Sequence, residues 1–243
     1  APIIGMDIRS ADMTKYVANA MLATKISFIN EMSRICDAVG ANINIVRNAV
    51  GADKRIGSSF LFPGVGFGGS CFPKDVRALE RTGRQNNLDM SMMRAVMEVN
   101  ESQKLYLFKK ISRVFSGSLR GKHFAVWGLA FKPKTDDMRE APSLTIISSL
   151  LAQGASIKAY DPQAMQMTRQ HYLKDSIEYA KNPYDALDGA DALILLTEWT
   201  EFRTLDFDLL KKLMKGRLIF DGRNIYSREE VLQQGFDYHG IGC

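Results

Sequence analysis

The segment Gly66-Phe67-Gly68-Gly69-Ser70-Cys71-Phe72-Pro73-Lys74-Asp75 places a thiol after three glycines and just before a helix start. Glycines permit close backbone approach and φ values closed to other residues, and Pro73 pre-sets φ at a first helical position where its missing N–H costs nothing. A helix therefore begins near Pro73, with Cys71 at the positive end of its dipole. In that setting a thiol pKa falls and nucleophilic thiolate accumulates. Asp75 follows about one turn further along the same face. An isolated cysteine also serves as a small buried hydrophobe beside a turn; the glycine-rich approach favours the reactive use.

Other residues are weaker candidates on their own. Lys132, Lys134 and Arg139 follow Gly128-Leu129-Ala130-Phe131 and suit phosphate charge, although a solvated basic loop explains them equally well. This turn lacks a complete G-x-G-x-x-G fingerprint and is not read as an NAD site. Asp161, in Tyr160-Asp161-Pro162, suits a turn or helix cap better than a ribose contact. Lys15 and Asn19, four apart, project from one helix face, which is normally solvated. Glu198 and Trp199 read either as ligand-facing groups or as a helix-start acid and a packing aromatic. His123, His171 and His239 are dispersed, so a Cys-His pair has no support, and no metal-ligand spacing occurs.

Two kinds of element must position these groups. Met13, Val17, Met21, Ile26, Ile29, Met32 and Ile35 recur at helical spacing and predict one long helix over Ser10 to Val39, stopped by Gly40. Helices are also expected over Asn44 to Val50, Asp75 to Arg84, and Ser91 to Phe115, the last capped by Ser91. The methionines 90, 92, 93 and 97 read as packing. After the linker Ser116-Gly117-Ser118-Leu119-Arg120-Gly121 the pattern changes. His123–Gly128, Ala155–Tyr160, Ala192–Leu196 and Leu218–Phe220 predict parallel strands buried on both faces. Ser143–Ala152, Ala164–Tyr172 and Leu205–Met214 predict crossover helices between them. The expected fold class is α/β: a helical central dimerisation region over 1–117 with the Cys loop, then a doubly wound, Rossmann-like parallel-sheet domain over 118–243.

The 243 residues, 46% hydrophobic, supply a sizeable core, and a charge of +5 suits an anionic ligand without demanding nucleic acid. No apolar run is long enough to span a membrane, and Ala1 opens no signal sequence. Three widely spaced cysteines point to a reducing, cytoplasmic setting.

Pro63-Gly64-Val65-Gly66-Phe67-Gly68-Gly69-Ser70-Cys71-Phe72-Pro73-Lys74-Asp75 resembles the active-site segment of the UDP-glucose 6-dehydrogenases, within the UDP-glucose/GDP-mannose dehydrogenase family. The resemblance continues through Lys15–Asn19, Asp53–Gly57, Gly128–Glu140 and Phe220–Arg223. It implies NAD-dependent oxidation of the C6 alcohol of UDP-glucose to a carboxylate through a thiohemiacetal and a thioester on Cys71. Lys15 and Asn19 would stabilise the oxyanion, and Asp75, alone or with Lys15, would activate water. Phe67, Gly68, Lys132 and Arg223 would bind the UDP-sugar, Lys132 through the diphosphate. Arg55 would enter a neighbouring subunit's sugar site, and Arg139 would approach the NAD phosphates. The family carries an amino-terminal NAD-binding domain, and this chain is expected to be the carboxyl-terminal part without it, dimerising through the long helix. GDP-mannose oxidation is the closest alternative; a non-enzymatic UDP-sugar-binding or dimerisation module is the alternative of another class.

Overall fold

The computed structural model describes residues 3–243; the readings that rest on Ala1 and Pro2 lie outside them. Five helices come first: α1 (Ile8–Val39), α2 (Ile43–Ala52), α3 (Phe72–Gln85), α4 (Ser91–Lys104) and α5 (Tyr106–Val114). The Asp7 carboxylate caps α1 by accepting from the Ser10 amide, and Gly40, at φ +74°, ends it by donating to the Cys36 carbonyl. Six strands follow: β1 (His123–Trp127), β2 (Ser156–Tyr160), β3 (Glu178–Tyr179), β4 (Ala192–Leu195), β5 (Leu218–Asp221) and β6 (Asp237–His239). They form one parallel sheet in the order β3-β2-β1-β4-β5-β6. Connecting them are α6 (Pro142–Ala152), α7 (Met165–His171), α8 (Phe207–Leu213) and α9 (Arg228–Gln233).

Alternation along the strands builds two cores, one on each face of the sheet. Phe124, Val126, Ile194 and Phe220 meet α5 and α6 through Leu107, Ile111, Ile146 and Ile147. Ala125, Trp127, Leu193, Leu195 and Ile219 meet Phe202, Leu210, Val231 and Phe236 on the other side. The sheet order reverses between β1 and β4, which opens a crevice at their carboxyl ends. Gly128 allows the two ends to close up: at φ +91°, a Cβ there would come to 2.4 Å from Thr197.

Four sequence expectations require correction. The expected helix from Ser91 to Phe115 is two helices broken at Leu105, because α4 serves the core shared with α1 while α5 packs onto the sheet. Ser91 is the first helical residue rather than a cap; Met90 precedes it with no side-chain cap bond. β2 is not buried on both faces, since Ser156 is exposed and Lys158 and Tyr160 are half-buried beside the two-residue edge strand β3. On α1 the inward stripe mixes the small residues Ala20, Ala23, Ser27 and Ser33 with Ile29, Asn30 and Cys36; of the expected apolar stripe Ile29 is buried and Ile26 and Met32 are half-buried, whereas Met13, Val17, Met21 and Ile35 face outward. Small side chains let α1 approach α3 and α4 closely. No helix among the described residues is long and apolar enough to cross a membrane.

Candidate active site

The glycine loop is held rigid by polar side chains from the helices. Asn100 accepts from the Phe67 amide at 2.8 Å through Oδ1 and donates to the Phe67 carbonyl at 3.0 Å. Asn30 Oδ1 accepts from the Gly64 amide, and Gln103 donates to the Gly64 carbonyl, each at 2.8 Å. All three amides are fully buried or nearly so, and their loop partners are backbone groups that have no strand or helix to satisfy them. These clamping residues were absent from the sequence reading. Their signal was an amide on an otherwise amphipathic helix, which looks the same whether buried or solvated.

The far side of the loop rests on the sheet region. The Val65 amide donates to the Gly222 carbonyl and the Gly69 amide to the Arg139 carbonyl, at 3.1 and 2.7 Å. Two glycines are required by contact: a Cβ on Gly68 would stand 2.3 Å from the Glu140 carbonyl oxygen, and one on Gly69, at φ +79°, 2.7 Å from the Phe131 ring. Glu140 itself pairs with Arg77 of α3 and lies 3.8 Å from the buried Lys104 ammonium. The Arg77 pairing also raises the guanidinium pKa.

Cys71 occupies the position preceding α3, is exposed, and accepts the Asp75 amide on its carbonyl at 2.9 Å. Pro73 stands in the first turn, so the sequence logic of the helix start holds. Asp75 is fully buried, and Asn19 Nδ2 donates to its Oδ2 at 2.6 Å. The Lys74 ammonium comes within 3.3 Å of Asp75 Oδ1, but without hydrogen-bond alignment, and Oδ1 has no hydrogen-bond partner among the described residues. The structure thus joins Asn19 to Asp75 one turn from the thiol. Lys15 lies one turn before Asn19 on α1, exposed, with its ammonium 5.9 Å from the Tyr16 ring centre.

A cleft of about 230 Å³ opens beside the helix start, lined by Phe60, Phe62, Gly66, Phe67, Gly68 and Phe72 from the helical side and by Phe131, Lys132, Glu198 and Arg223 from the sheet crevice. Four candidate binding residues converge there: Phe67, Gly68, Lys132 and Arg223. Lys132 is exposed, its ammonium 5.2 Å from the Phe131 ring centre. Arg223 is largely buried and donates to the Leu196 and Phe131 carbonyls while Glu198 lies 3.2 Å from its Nε. Glu198 was left open between two readings; it belongs to this lining. The larger groove between α3 and α4, about 520 Å³, is lined by Arg77, Arg84 and Arg94, each already paired with a carboxylate, so it offers less free charge to an anion.

Cys71, Asp75, Asn19 and Lys15 lie outside the cleft lining, and two further candidates stand apart from both groups. Arg55 is exposed on the turn after α2 and grips Asp53 through Nε and Nη2, which holds the Asp53 carboxyl below its ordinary pKa. Arg139 is exposed and bound in the same manner to Asp137, lowering that carboxyl likewise. Among the described residues no group of His, Cys, Asp and Glu could hold a metal ion.

Comparison with known proteins accounts for both regions. The model of the UDP-glucose/GDP-mannose dehydrogenase family, central domain, matches residues 9–102, and that of the same family's UDP binding domain matches residues 125–228. The chain is 46% identical to the UDP-glucose 6-dehydrogenase of Pseudomonas aeruginosa over 245 residues, covering 99% of this chain and 54% of that protein. It is 47% identical to the UDP-glucose 6-dehydrogenase YwqF of Bacillus subtilis, with 99% and 54% covered. The structure of a UDP-glucose dehydrogenase from the archaeon Pyrobaculum islandicum superposes with a TM-score of 0.88 at 38% identity, covering 100% of this chain and 53% of that one. The chain thus spans about half the length of the curated relatives it matches. With its helical part and its sheet matched by two domains of one family, the chain belongs to the UDP-glucose/GDP-mannose dehydrogenase family.

Proposed function

We propose that this chain carries the nucleophile and the sugar-nucleotide pocket of an enzyme that oxidises UDP-glucose to UDP-glucuronate. The observation that carries this reading is the convergence of Phe67, Gly68, Lys132 and Arg223 in one cleft beside the Cys71 helix start. Aromatic walls suit a base or sugar face, and the Lys132 ammonium, with the Glu198-paired Arg223 beside it, suits a diphosphate.

NAD supplies the hydride acceptor in this reaction. The residues present do not fit its cradle. Asp161, the acid at the end of β2 where a dinucleotide fold holds a ribose, is buried and already accepts five hydrogen bonds, and the Arg139 guanidinium is engaged by Asp137. The steps assigned to this chain are the thiol's. Cys71 thiolate adds to the C6 aldehyde, forming the C–S bond while the carbonyl pair moves to oxygen and takes a proton. Once a thioester stands on Cys71, water adds, the C–S bond breaks, and thiolate leaves with the carboxylate and two protons as the other products. Asp75, with Oδ1 free of hydrogen bonds and Oδ2 anchored by Asn19, would hold and deprotonate that water. Asn19, with Lys15 one turn away, would face the negative C6 oxygen, a role worth about 3 kcal/mol per donor in comparable sites.

The dimer belongs to the same reading. The outward residues of α1 and a groove of about 440 Å³ between α1 and α2, lined by Phe28, Ile35, Val46 and Ile56, form an apolar face suited to a second copy. Arg55, on the turn beside this face, would reach that copy's cleft. The division of labour assigns 1–117 to the dimer and the thiol and 118–243 to the nucleotide.

Calorimetry on the chain tests the assignment. UDP and UDP-glucose should bind, GDP-mannose should not, and affinity should fall as salt rises. Preference for GDP-mannose would move the chain to the other branch of the family; absence of any nucleotide binding would overturn the pocket.

A further inference from the structure

Asp161 has no cation beside it. It is fully buried at the carboxyl end of β2, and no salt bridge to it occurs among the described residues. Its Oδ2 accepts from the Leu129 amide at 2.7 Å, the Ala130 amide at 3.0 Å and Trp199 Nε1 at 3.1 Å. Its Oδ1 accepts from the Gln163 and Ala164 amides at 2.9 and 2.8 Å. A carboxylate offers about four lone-pair sites, so five donors saturate it. These donors belong to three separate strand ends, after β1, β2 and β4. The first leads directly into Phe131 and Lys132, and the third adjoins Glu198, all of which line the cleft.

Burying a charge without a counter-ion is unfavourable unless hydrogen bonds replace its hydration, and charge-assisted bonds are about twice as strong as neutral ones. Here five N–H donors replace the hydration, and three of them, from Leu129, Ala130 and Trp199, belong to the two loops that line the pocket. We infer that Asp161 is a positioning residue: an internal carboxylate that fixes the 129–132 turn and thereby aims Lys132 at the anionic part of the ligand. The inference rests on the sugar-nucleotide reading of the cleft.

Asp161→Asn is the informative substitution, because either orientation of the amide turns an NH2 group toward at least two N–H donors. Measured at a temperature where the variant is folded, UDP affinity should fall about tenfold. The same substitution made in a Lys132→Ala background should cost less than about threefold, since the cation it aims is gone. A general loss of stability would weaken UDP by the same factor in both backgrounds, and that result would overturn the inference. Amide hydrogen exchange in the free protein supplies a readout that needs no ligand: Leu129, Ala130 and Lys132 should exchange faster in the variant, and unchanged exchange there would also overturn it. If the unaltered chain binds no UDP, the pocket reading fails, while the exchange comparison still decides whether Asp161 holds the turn. Should Asp161→Asn not fold, Trp199→Phe removes one donor and leaves four. The same two-background comparison then applies, with about threefold expected against no change.

Discussion

The helical region and the sheet region differ in how far each is finished as a single chain. In the sheet region both faces are covered, and Tyr172 and Leu232 are its two exposed large apolar side chains among the described residues. In the helical region the long helix alone exposes Ile8, Met13, Val17, Met21, Phe28, Ile35 and Val39, and α2 adds Ile45 and Val46. The finished region carries the cationic side of the cleft, and the unfinished one carries the thiol. Binding is therefore expected to be a property of the sheet region, and chemistry a property of the part that needs further surface covered.

The largest test of that division is Cys71→Ser in the complete enzyme. Overall turnover should fall at least about a thousandfold, because serine lacks both the thiolate and the readily hydrolysed thioester. UDP-sugar affinity should stay within a factor of about two. Equal loss of both would break the comparison. Next in size is the paired substitution Phe28→Asp with Ile35→Asp, two charges on the outward face of α1. Light scattering should report the mass of one chain instead of two, while UDP still binds; a dimer surviving both charges would place the interface elsewhere.

The clamp on the thiol loop ranks third. Asn100→Ala orphans the buried Phe67 N–H and C=O and should lower stability by about 3 kcal/mol in denaturant unfolding. A loss under about 1 kcal/mol would mean that the loop is not held from the helical side. Lys132→Ala should weaken UDP about tenfold and uridine less than about threefold, since the lost contact is to the diphosphate. Equal weakening of the two ligands would remove Lys132 from that role.

The smallest effect concerns His239, stacked on Phe220 with ring centres 4.9 Å apart at the end of the sheet. Burial, aided by the nearby Lys110 charge, lowers its pKa. The folded state then holds fewer protons than the unfolded one between the folded pKa and about 6.5, so stability is full above 6.5 and declines as pH falls through this window. Thermal melts between pH 7.5 and 5.5 should show stability declining toward acid, and the decline should flatten in His239→Gln. An unchanged slope in that variant would assign the decline to another group.

Much of this architecture was legible in the sequence because continuous apolar runs such as Phe124 to Trp127 announce a strand buried on both faces without help from distant residues. The edge strands β3 and β6, two and three residues long, carry too little pattern to be seen. The long helix was visible but its orientation was not. Its inward face includes alanines and serines beside Ile29 and Cys36, so hydrophobicity marked only part of the buried stripe and pointed outward at Met13, Val17, Met21 and Ile35. At the site, the reactive setting of Cys71 was legible in its glycines and helix start, whereas the roles of Asp75 and Lys132 came from resemblance. Asn30, Asn100 and Gln103 act on loop backbone more than thirty positions away, a pairing that no local window contains.

Gly68 and Gly69 meet Glu140 and Phe131 with no room for even a methyl group, and this fit limits how the protein can be recombined. A hybrid built from the first half of one relative and the second half of another would keep three of the four cores intact and divide the one in which Leu107 and Ile111 meet the sheet. It would still displace the thiol unless the stretch from Phe131 to Glu140 came from the same parent as the glycines. The short linker at Ser116–Gly121 is a natural crossing point for chain exchange, yet it is a safe one only between parents whose residues on both sides of that contact already agree.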